Sequence, residues 1–413
     1  MTNPKLPLPA PLHGAEIGSF AHNTIIVRLP DIARRTLAEN TFPPIVVEQI
    51  NQLIAALPNG RIRALTDGAD WDAYTAVYEG QDWLTPPWFF SETYFYRRMM
   101  EAVGYIEASG NIEAGQPAAI DPFAYQKQHG LQTTMPATRA LAAKLSSWLA
   151  QGWDNKVFGQ LLAIDLWGNQ ADLSLWPADK GEKPTHTDTA VQQEHLIVDD
   201  TTAVADYLTK RLETTRLGTI RLDFIIDNAG FELVCDLALA DYVLSVNAVK
   251  AVRFHLKIHP TFVSDALIQD VKATIAFLTK DADEKVQELG ERLAGHVANG
   301  HLQLHTHPYW TSPLPGWEMP ADLRNELAAA SLLISKGDAN YRRLLGDRHW
   351  PFETPFTQIV SYLPAPLVAL RTLKSPVAVG LDTAQSAQLD QKDHDWQING
   401  RWGLIQFSDG NRR

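Results

Sequence analysis

Apolar positions along this chain change rhythm about midway. In the first part they recur every three or four residues, the spacing that gathers them on one helix face. Val46, Ile50, Leu53, Ile54 and Leu57 share such a face over 44–57, and Pro58-Asn59-Gly60 ends it. The same spacing predicts a helix over 19–40, broken or restarted at Pro30, and another over 69–78. Further helices are predicted from a Ser91 cap to about Ala108, from Pro136 to about Ala150, and over roughly 155–166. Residues 1–17, rich in proline, read as an extended strap. The aromatic residues Trp83, Trp88, Phe89, Phe90, Tyr94, Phe95 and Tyr96 read as core.

Beyond a polar, loop-like stretch at 178–192 the pattern alternates. Apolar or β-branched runs at 195–198, 219–226, 249–256, 301–305, 331–335, 377–381 and 402–407 predict strands. Between them, helical spacing covers 201–213 (capped by Asp199 and Asp200), 231–243, 266–278, 282–298, 321–329 and the run from 339 to 344. Strand–helix alternation of this kind argues a mostly parallel sheet covered by helices. Two domains follow, a mostly helical one over 1–190 and an α/β one over 191–413.

The 413 residues are 45% hydrophobic and 20% charged, as in an ordinary globular protein with a sizeable core. The net charge of −12 argues against a nucleic-acid partner or an anionic membrane surface. Any phosphate site must therefore gather its own cations. The single cysteine, Cys235, excludes an intramolecular disulfide and a thiolate cluster. With no basic-then-apolar leader and no apolar run of spanning length, a cytoplasmic protein is the expectation.

The chemistry collects at strand ends. The run Thr219 to Ile226 ends in Asp227-Asn228-Ala229-Gly230, and a helix starts at Phe231. Asp227 and Asn228 thus sit at the carboxyl end of a strand, where open α/β sheets place ligands. The plain alternative is that they cap the helix. A right-handed crossover returns the chain parallel to its start, so the loop after the next strand, reaching Asp265, lies on the same edge. Asp265 could itself be only a cap for 266–278. Two carboxylates and an amide oxygen are hard ligands that suit Mg²⁺ or Mn²⁺ with positions left open. A fourth strand ends in Lys336-Gly337-Asp338-Ala339-Asn340-Tyr341-Arg342, a strand, glycine turn and helix start that favours an anion. Arg371-Thr372-Leu373-Lys374, ahead of the strand expected at 377–381, adds two cations. His301, His305, His307 and His186 read as ordinary surface or loop histidines rather than ligands.

Taken together, Asp227-Asn228-Ala229-Gly230-Phe231-Glu232, Phe262-Val263-Ser264-Asp265, Lys336 to Arg342 and Arg371-Thr372-Leu373-Lys374 resemble the motifs of the metal-dependent damage-control phosphatases, formerly a domain of unknown function (family 89), in the subfamily with an Arg-Thr-x-Lys motif. Trp88 to Tyr94 and Trp167 to Leu175 fit as well, so the resemblance spans nearly the whole chain. Ala339 stands where leucine is expected. The resemblance implies a helical N-terminal region packed on a three-layer α/β/α core with a mostly parallel, Rossmann-like sheet. It implies a divalent metal (Mn²⁺, Ni²⁺, Co²⁺ or Mg²⁺) held by Asp227, Asn228 and Asp265. It implies substrate contacts from Glu232, from Asp338, Ala339, Asn340, Tyr341 and Arg342, and from Lys374. Asn169 and Asp172 match a Gly-Asn-x-x-Asp pattern of the wider family and are expected near the site. The implied substrates are small sugar phosphates such as fructose 1-phosphate. A monomer or weak homo-oligomer, with neither nucleic acid nor membrane as partner, completes the expectation.

The expected chemistry is phosphomonoester hydrolysis by an activated water, with Lys374 and either Lys336 or Arg342 neutralising phosphoryl charge. Direct attack by Asp227 is less favoured, since aspartyl-phosphate enzymes usually carry a second acid two residues on, where this chain has Ala229. Two rival readings use the same residues: a carboxyl methyltransferase dependent on S-adenosylmethionine, and a metal-dependent sugar-phosphate binding protein without turnover. The first wants a glycine-rich turn that Asp227-Asn228-Ala229-Gly230 does not supply.

Overall fold

The computed structural model describes residues 4–106, 120–168, 194–214 and 219–410. Seven strands form one sheet: β1 (Leu196–Asp199), β2 (Arg221–Ile225), β3 (Ala251–Leu256), β4 (Leu302–Thr306), β5 (Leu332–Lys336), β6 (Leu367–Thr372) and β7 (Gly403–Ser408). Their order is β1-β7-β6-β5-β2-β3-β4. Every neighbouring pair is parallel except β6 and β7. From β2 the chain moves outward to β3 and β4, then returns to β5 on the other side of β2. The crossovers therefore reverse between β2 and β5. At such a switch point two loops diverge from adjacent strand ends and leave a crevice.

Side chains alternate across the sheet. Leu333, Leu367, Ala369 and Leu404 join one apolar cluster, while Leu332, Ile334, Val368, Leu370 and Ile405 join another. A strand sends successive side chains to opposite faces, so the clusters are the sheet's two faces. One face is covered by the helices Leu29–Glu39, Pro44–Ala56 and Trp88–Ala102 together with Asp338–Leu345. The other is covered by Met135–Leu149, Asn155–Gly168, Thr201–Thr214, Phe231–Ser245, Ile268–Leu278 and Glu284–Ala298. This is the three-layer arrangement expected. Both clusters draw residues from either side of position 190, because the helices before residue 124 cover one face and those of 135–168 the other.

Several elements differ from expectation. No strand forms at 377–381; Gly380 and Leu381 instead bond the carbonyls of Thr354 and Phe352. The strand is β6, ten residues earlier, a short apolar run hidden in the sequence between Pro364-Ala365-Pro366 and Arg371. Arg371 and Thr372 thus end a strand rather than precede one. The helix expected from Ser91 begins at Trp88, after Pro87, and ends at Ala102; Ser91 Oγ bonds the Trp83 carbonyl instead of capping. Asp199 bonds Thr201 N at the head of the 201–214 helix, but the Asp200 carboxylate accepts from Phe407 N. Pro30 restarts a helix after a π-helical stretch, Thr24–Arg28, as a residue without an N–H allows. The helices Ala124–Thr133 and Thr383–Lys392 were not expected.

Candidate active site

The β2 strand delivers Asp227 and Asn228 into the crevice, and Gly230 (φ +79°) turns the chain into the 231–245 helix. The N-cap position of that helix falls to Gly230, not to Asp227 or Asn228. On the facing side β5 ends in Gly337 (φ +81°), which heads the 338–345 helix without a side-chain cap. Gly337 is required by contact as well as by φ. A Cβ there would stand 1.8 Å from Asp227 Oδ2. The two loops at the switch point therefore meet directly.

Asp265 arrives from the loop after β3. Asn228 and Asp265 form an isolated antiparallel bridge, with Ala229 N on Ser264 O and Ala266 N on Asp227 O, both at 2.7 Å. Within that loop Phe262 (φ +46°) and Val263 (φ +69°) occupy the left-handed region. For a β-branched residue this is strained, and such strain persists only where the surroundings over-determine it. Here Val263 is fully buried, and the Phe262 ring packs 5.1 Å from Tyr96 and 6.1 Å from Phe89. The following helix starts at Ile268, with Leu267 at its N-cap and Asp270 bonding Leu267 N, so the N-cap position is not Asp265's. Its carboxylate lies 3.2 Å from Lys257 Nζ.

Asp227, Asn228 and Asp265 line one small cleft of about 40 Å³ with Asp338, Ala339, Arg342 and Lys374, and with Arg28, Glu92 and Phe262. Asp338 accepts hydrogen bonds from Arg371 Nε (2.8 Å), Lys374 N (3.2 Å) and Ser375 Oγ (3.0 Å). Burial pushes its carboxyl upward, but Arg371 and Arg342 outweigh that and hold it below the usual carboxylate range. Arg342 is held in place by two acids and uses three of its five N–H donors on them. It pairs with Glu92 Oε2 at 2.6 Å and with both Asp347 oxygens, and lies 3.5 Å above the Trp88 ring. Those acids raise its pKa against the pull of burial.

The remaining expected residues sit behind this lining. Asn228 Nδ2 donates to Asp227 Oδ2 and to Glu232 Oε2, both at 2.8 Å, and Ser264 Oγ donates to Asn228 Oδ1. Glu232 thus holds Asn228. Asn340 donates to the carbonyls of Ile226 and Lys336 and accepts from Lys257 Nζ. Tyr341 stacks on Phe356, and its hydroxyl donates to Gln406 Oε1. Lys336, expected as a cation facing phosphate, is buried beneath the site. It lies 2.8 Å from Asp165, 3.2 Å from Glu232 and 3.2 Å from Asp236. The reason is strand parity: Lys336 continues the side of β5 that carries Leu332 and Ile334, packed under the 155–168 and 231–245 helices. Burial pushes the Asp165 carboxyl up to about 6 and raises Asp236 as well, while the acids raise Lys336. Asn169, Asp172 and His186 lie outside the described residues. His305 pairs with Glu326 and His307 with Asp322, both remote from the cleft lining.

Sequence reading missed Lys257, Arg28 and Glu92. Glu92 carried a signal, a lone acid amid the aromatic run Trp88 to Tyr96. Lys257 directly follows the apolar run of β3, where nothing in the sequence sets it apart. Arg28 had no signal, since nothing local links it to residues 200 positions away.

Among the described residues no group of three or more His, Cys, Asp or Glu side chains is placed so that it could hold a metal ion. The expected donor set does not need one. Two carboxylates and one amide oxygen on a cleft without thiolate or imidazole fit a hard divalent cation that keeps open positions. Such an ion would share Asp265 with Lys257.

Known proteins place this cleft in context. The model of the damage-control phosphatase ARMT1-like domain matches residues 21–389. The damage-control phosphatase ARMT1 of Danio rerio is 32% identical, over 96% of this chain and 96% of its own length. Its Mus musculus counterpart is 31% identical over 97% and 98%. A solved structure of a duf89 family protein from Pyrococcus horikoshii aligns with 91% of this chain and 95% of its own at 12% identity and a TM-score of 0.47. With a family model matching most of the chain and relatives matching nearly all of it, the chain belongs to the damage-control phosphatase family, as an ARMT1-like phosphatase.

Proposed function

We propose that the chain hydrolyses phosphomonoesters of small sugar phosphates resembling fructose 1-phosphate, with a divalent metal held by Asp227, Asn228 and Asp265. The observation that carries this is the Asn228–Asp265 bridge. It fastens two loops from different strands so that both carboxylates line one cleft with Arg342 and Lys374. A bound divalent cation would supply Lewis-acid polarisation of the phosphoryl group and a lowered pKa for water. This chain's residues do the rest. Asp227 and Asp265 hold negative charge at fixed positions, tied by the backbone bonds that flank them. Lys374 and Arg342 balance charge developing on the phosphoryl oxygens. Asp338 anchors the Lys374 backbone and the Arg371 side chain, fixing where that cation starts.

A phosphate-release screen over sugar phosphates, with and without Mn²⁺, tests the proposal on the wild type and on Asp227→Ala. Metal-dependent turnover lost in the variant is the expected result. Turnover without metal, an unaffected variant, or a phosphorylated Asp227 trapped from the wild type would each defeat it.

A further inference from the structure

The 338–345 helix sends consecutive arginines to different places. Arg342 lines the catalytic cleft, whereas Arg343 lines a second cavity, of about 400 Å³, that shares no lining residue with the first. The N-terminal layer contributes Tyr74, Tyr78, Phe89 and Phe90 to this cavity, and the core contributes Arg343 and Arg348. Its size falls in the range of small-molecule sites, and its walls are mostly apolar with few polar groups, as such sites are.

The arginines are the unusual feature. Elsewhere the fold pairs its buried guanidinium groups with acids: Arg97 with Asp67 and Asp70, Arg342 with Glu92 and Asp347, Arg371 with Asp338. Arg343 is only 3% exposed, yet among the described residues no carboxylate lies within ion-pairing distance of it or of Arg348. Arg343 donates to the carbonyls of Leu314 (2.7 Å) and Trp310 (3.1 Å) and lies about 5 Å from the Phe89 and Tyr309 rings. Its Nε is buried with no hydrogen-bond partner, and so is Arg348 Nε. Burial lowers the pKa of both groups. Of the acids in the wall, Asp347 is already bound to Arg342, and Glu318 acts on Arg348 only from beyond ion-pairing distance, raising its pKa less than burial lowers it. A charge held away from water without a direct ion pair is costly, and an incoming anion lowers that cost.

We infer that this cavity is a second ligand site, separate from the phosphoester cleft, for a small molecule carrying an aromatic ring and one anionic group such as a carboxylate. The ring lies among Tyr74, Tyr78, Phe89 and Phe90, and the anion meets Arg343 and Arg348.

Calorimetric titration of the full chain with indole-3-acetate and with its neutral counterpart, indole-3-acetamide, tests this. Saturable 1:1 binding of the acid is expected, with the amide weaker by about tenfold or more, the worth of a charge-assisted hydrogen bond. Val77, in the cavity wall and 63% exposed, tolerates a larger side chain outside the core. Val77→Trp is therefore expected to weaken the acid about tenfold while leaving the melting temperature and circular dichroism unchanged. Arg343→Met is expected to abolish the preference for acid over amide; if that variant does not fold, Val77→Trp still decides. Asp227→Asn binds the acid as the wild type does, and inorganic phosphate does not displace it. Equal affinity for acid and amide, undiminished binding by Val77→Trp, displacement by phosphate, or no saturable binding would overturn the inference.

Discussion

Asp227 and Asp265 stand before a helix and Asp338 opens one, and each could be a cap by its position in the sequence. The N-cap positions fall instead to Gly230, Leu267 and Gly337. The three carboxylates go to Asn228, to Lys257, and to Arg371 with Ser375, respectively. Replacing Asp265 with Asn keeps the shape and removes the charge. Asp265→Asn is expected to lower kcat/KM for phosphate release by about 10²-fold or more, comparable to losing a key electrostatic group, with the fold retained by circular dichroism. A second residue-scale outcome concerns His259, which is 3% exposed and donates from Nδ1 to the Pro260 carbonyl. Burial lowers its pKa to about 4 from the ordinary 6.5. The unfolded chain therefore takes up a proton between pH 6.5 and 4 that the folded chain refuses. Stability present above that window is lost as pH falls through it, by at most about 3 kcal/mol. Urea midpoints from pH 7 to 4.5 check this, with His259→Phe expected to show a flatter dependence.

At the level of elements, the site is a product of close approach between loops. Gly337→Ala is expected to push Asp227 aside and to strain a φ of +81°. A displacement of about 1 Å at reacting groups costs on the order of 10²-fold in rate, so kcat should fall that far even where the variant stays folded. Beneath the loops, Lys336 holds three acids from the 155–168 and 231–245 helices to the end of β5. Lys336→Met leaves those acids without their cation and is expected to cost about 3–5 kcal/mol in chemical denaturation. Lys336→Met combined with Asp165→Asn should recover part of that. An additive double variant would mean that Lys336 and Asp165 are not coupled. The pattern of apolar residues showed most of these elements, because amphipathic spacing is a local property. It misplaced β6, since a four-residue apolar run next to two prolines resembles a loop, and so it put Arg371 and Lys374 before a strand, whereas Arg371 lies at the end of one and Lys374 follows it.

In the whole molecule, the N-terminal helices are part of the site. Arg28 and Glu92 line the cleft, and Glu92 pairs with Arg342 from the core. One apolar cluster runs from Leu12 through Phe123 into Leu333, Leu367 and Leu404. A shared core of this kind unfolds as a unit. A single calorimetric transition is expected, with activity lost at the same temperature; a separate early transition of the helical part with activity preserved would contradict it. Among the described residues no helix is long and apolar enough to cross a membrane.

The order of residues by itself determined the helical spacing, the strand–helix alternation, and which strand ends carry Asp227, Asp265 and Asp338, because each of these depends on neighbours a few positions apart. Tertiary structure alone decided the direction of Lys336, the pairing of Arg342 with Glu92, the left-handed backbone at Phe262 and Val263, and the lack of a direct ion pair at Arg343 and Arg348. Each of those depends on which distant surface occupies the space beside a side chain, and that is settled only when the sheet has both of its faces covered.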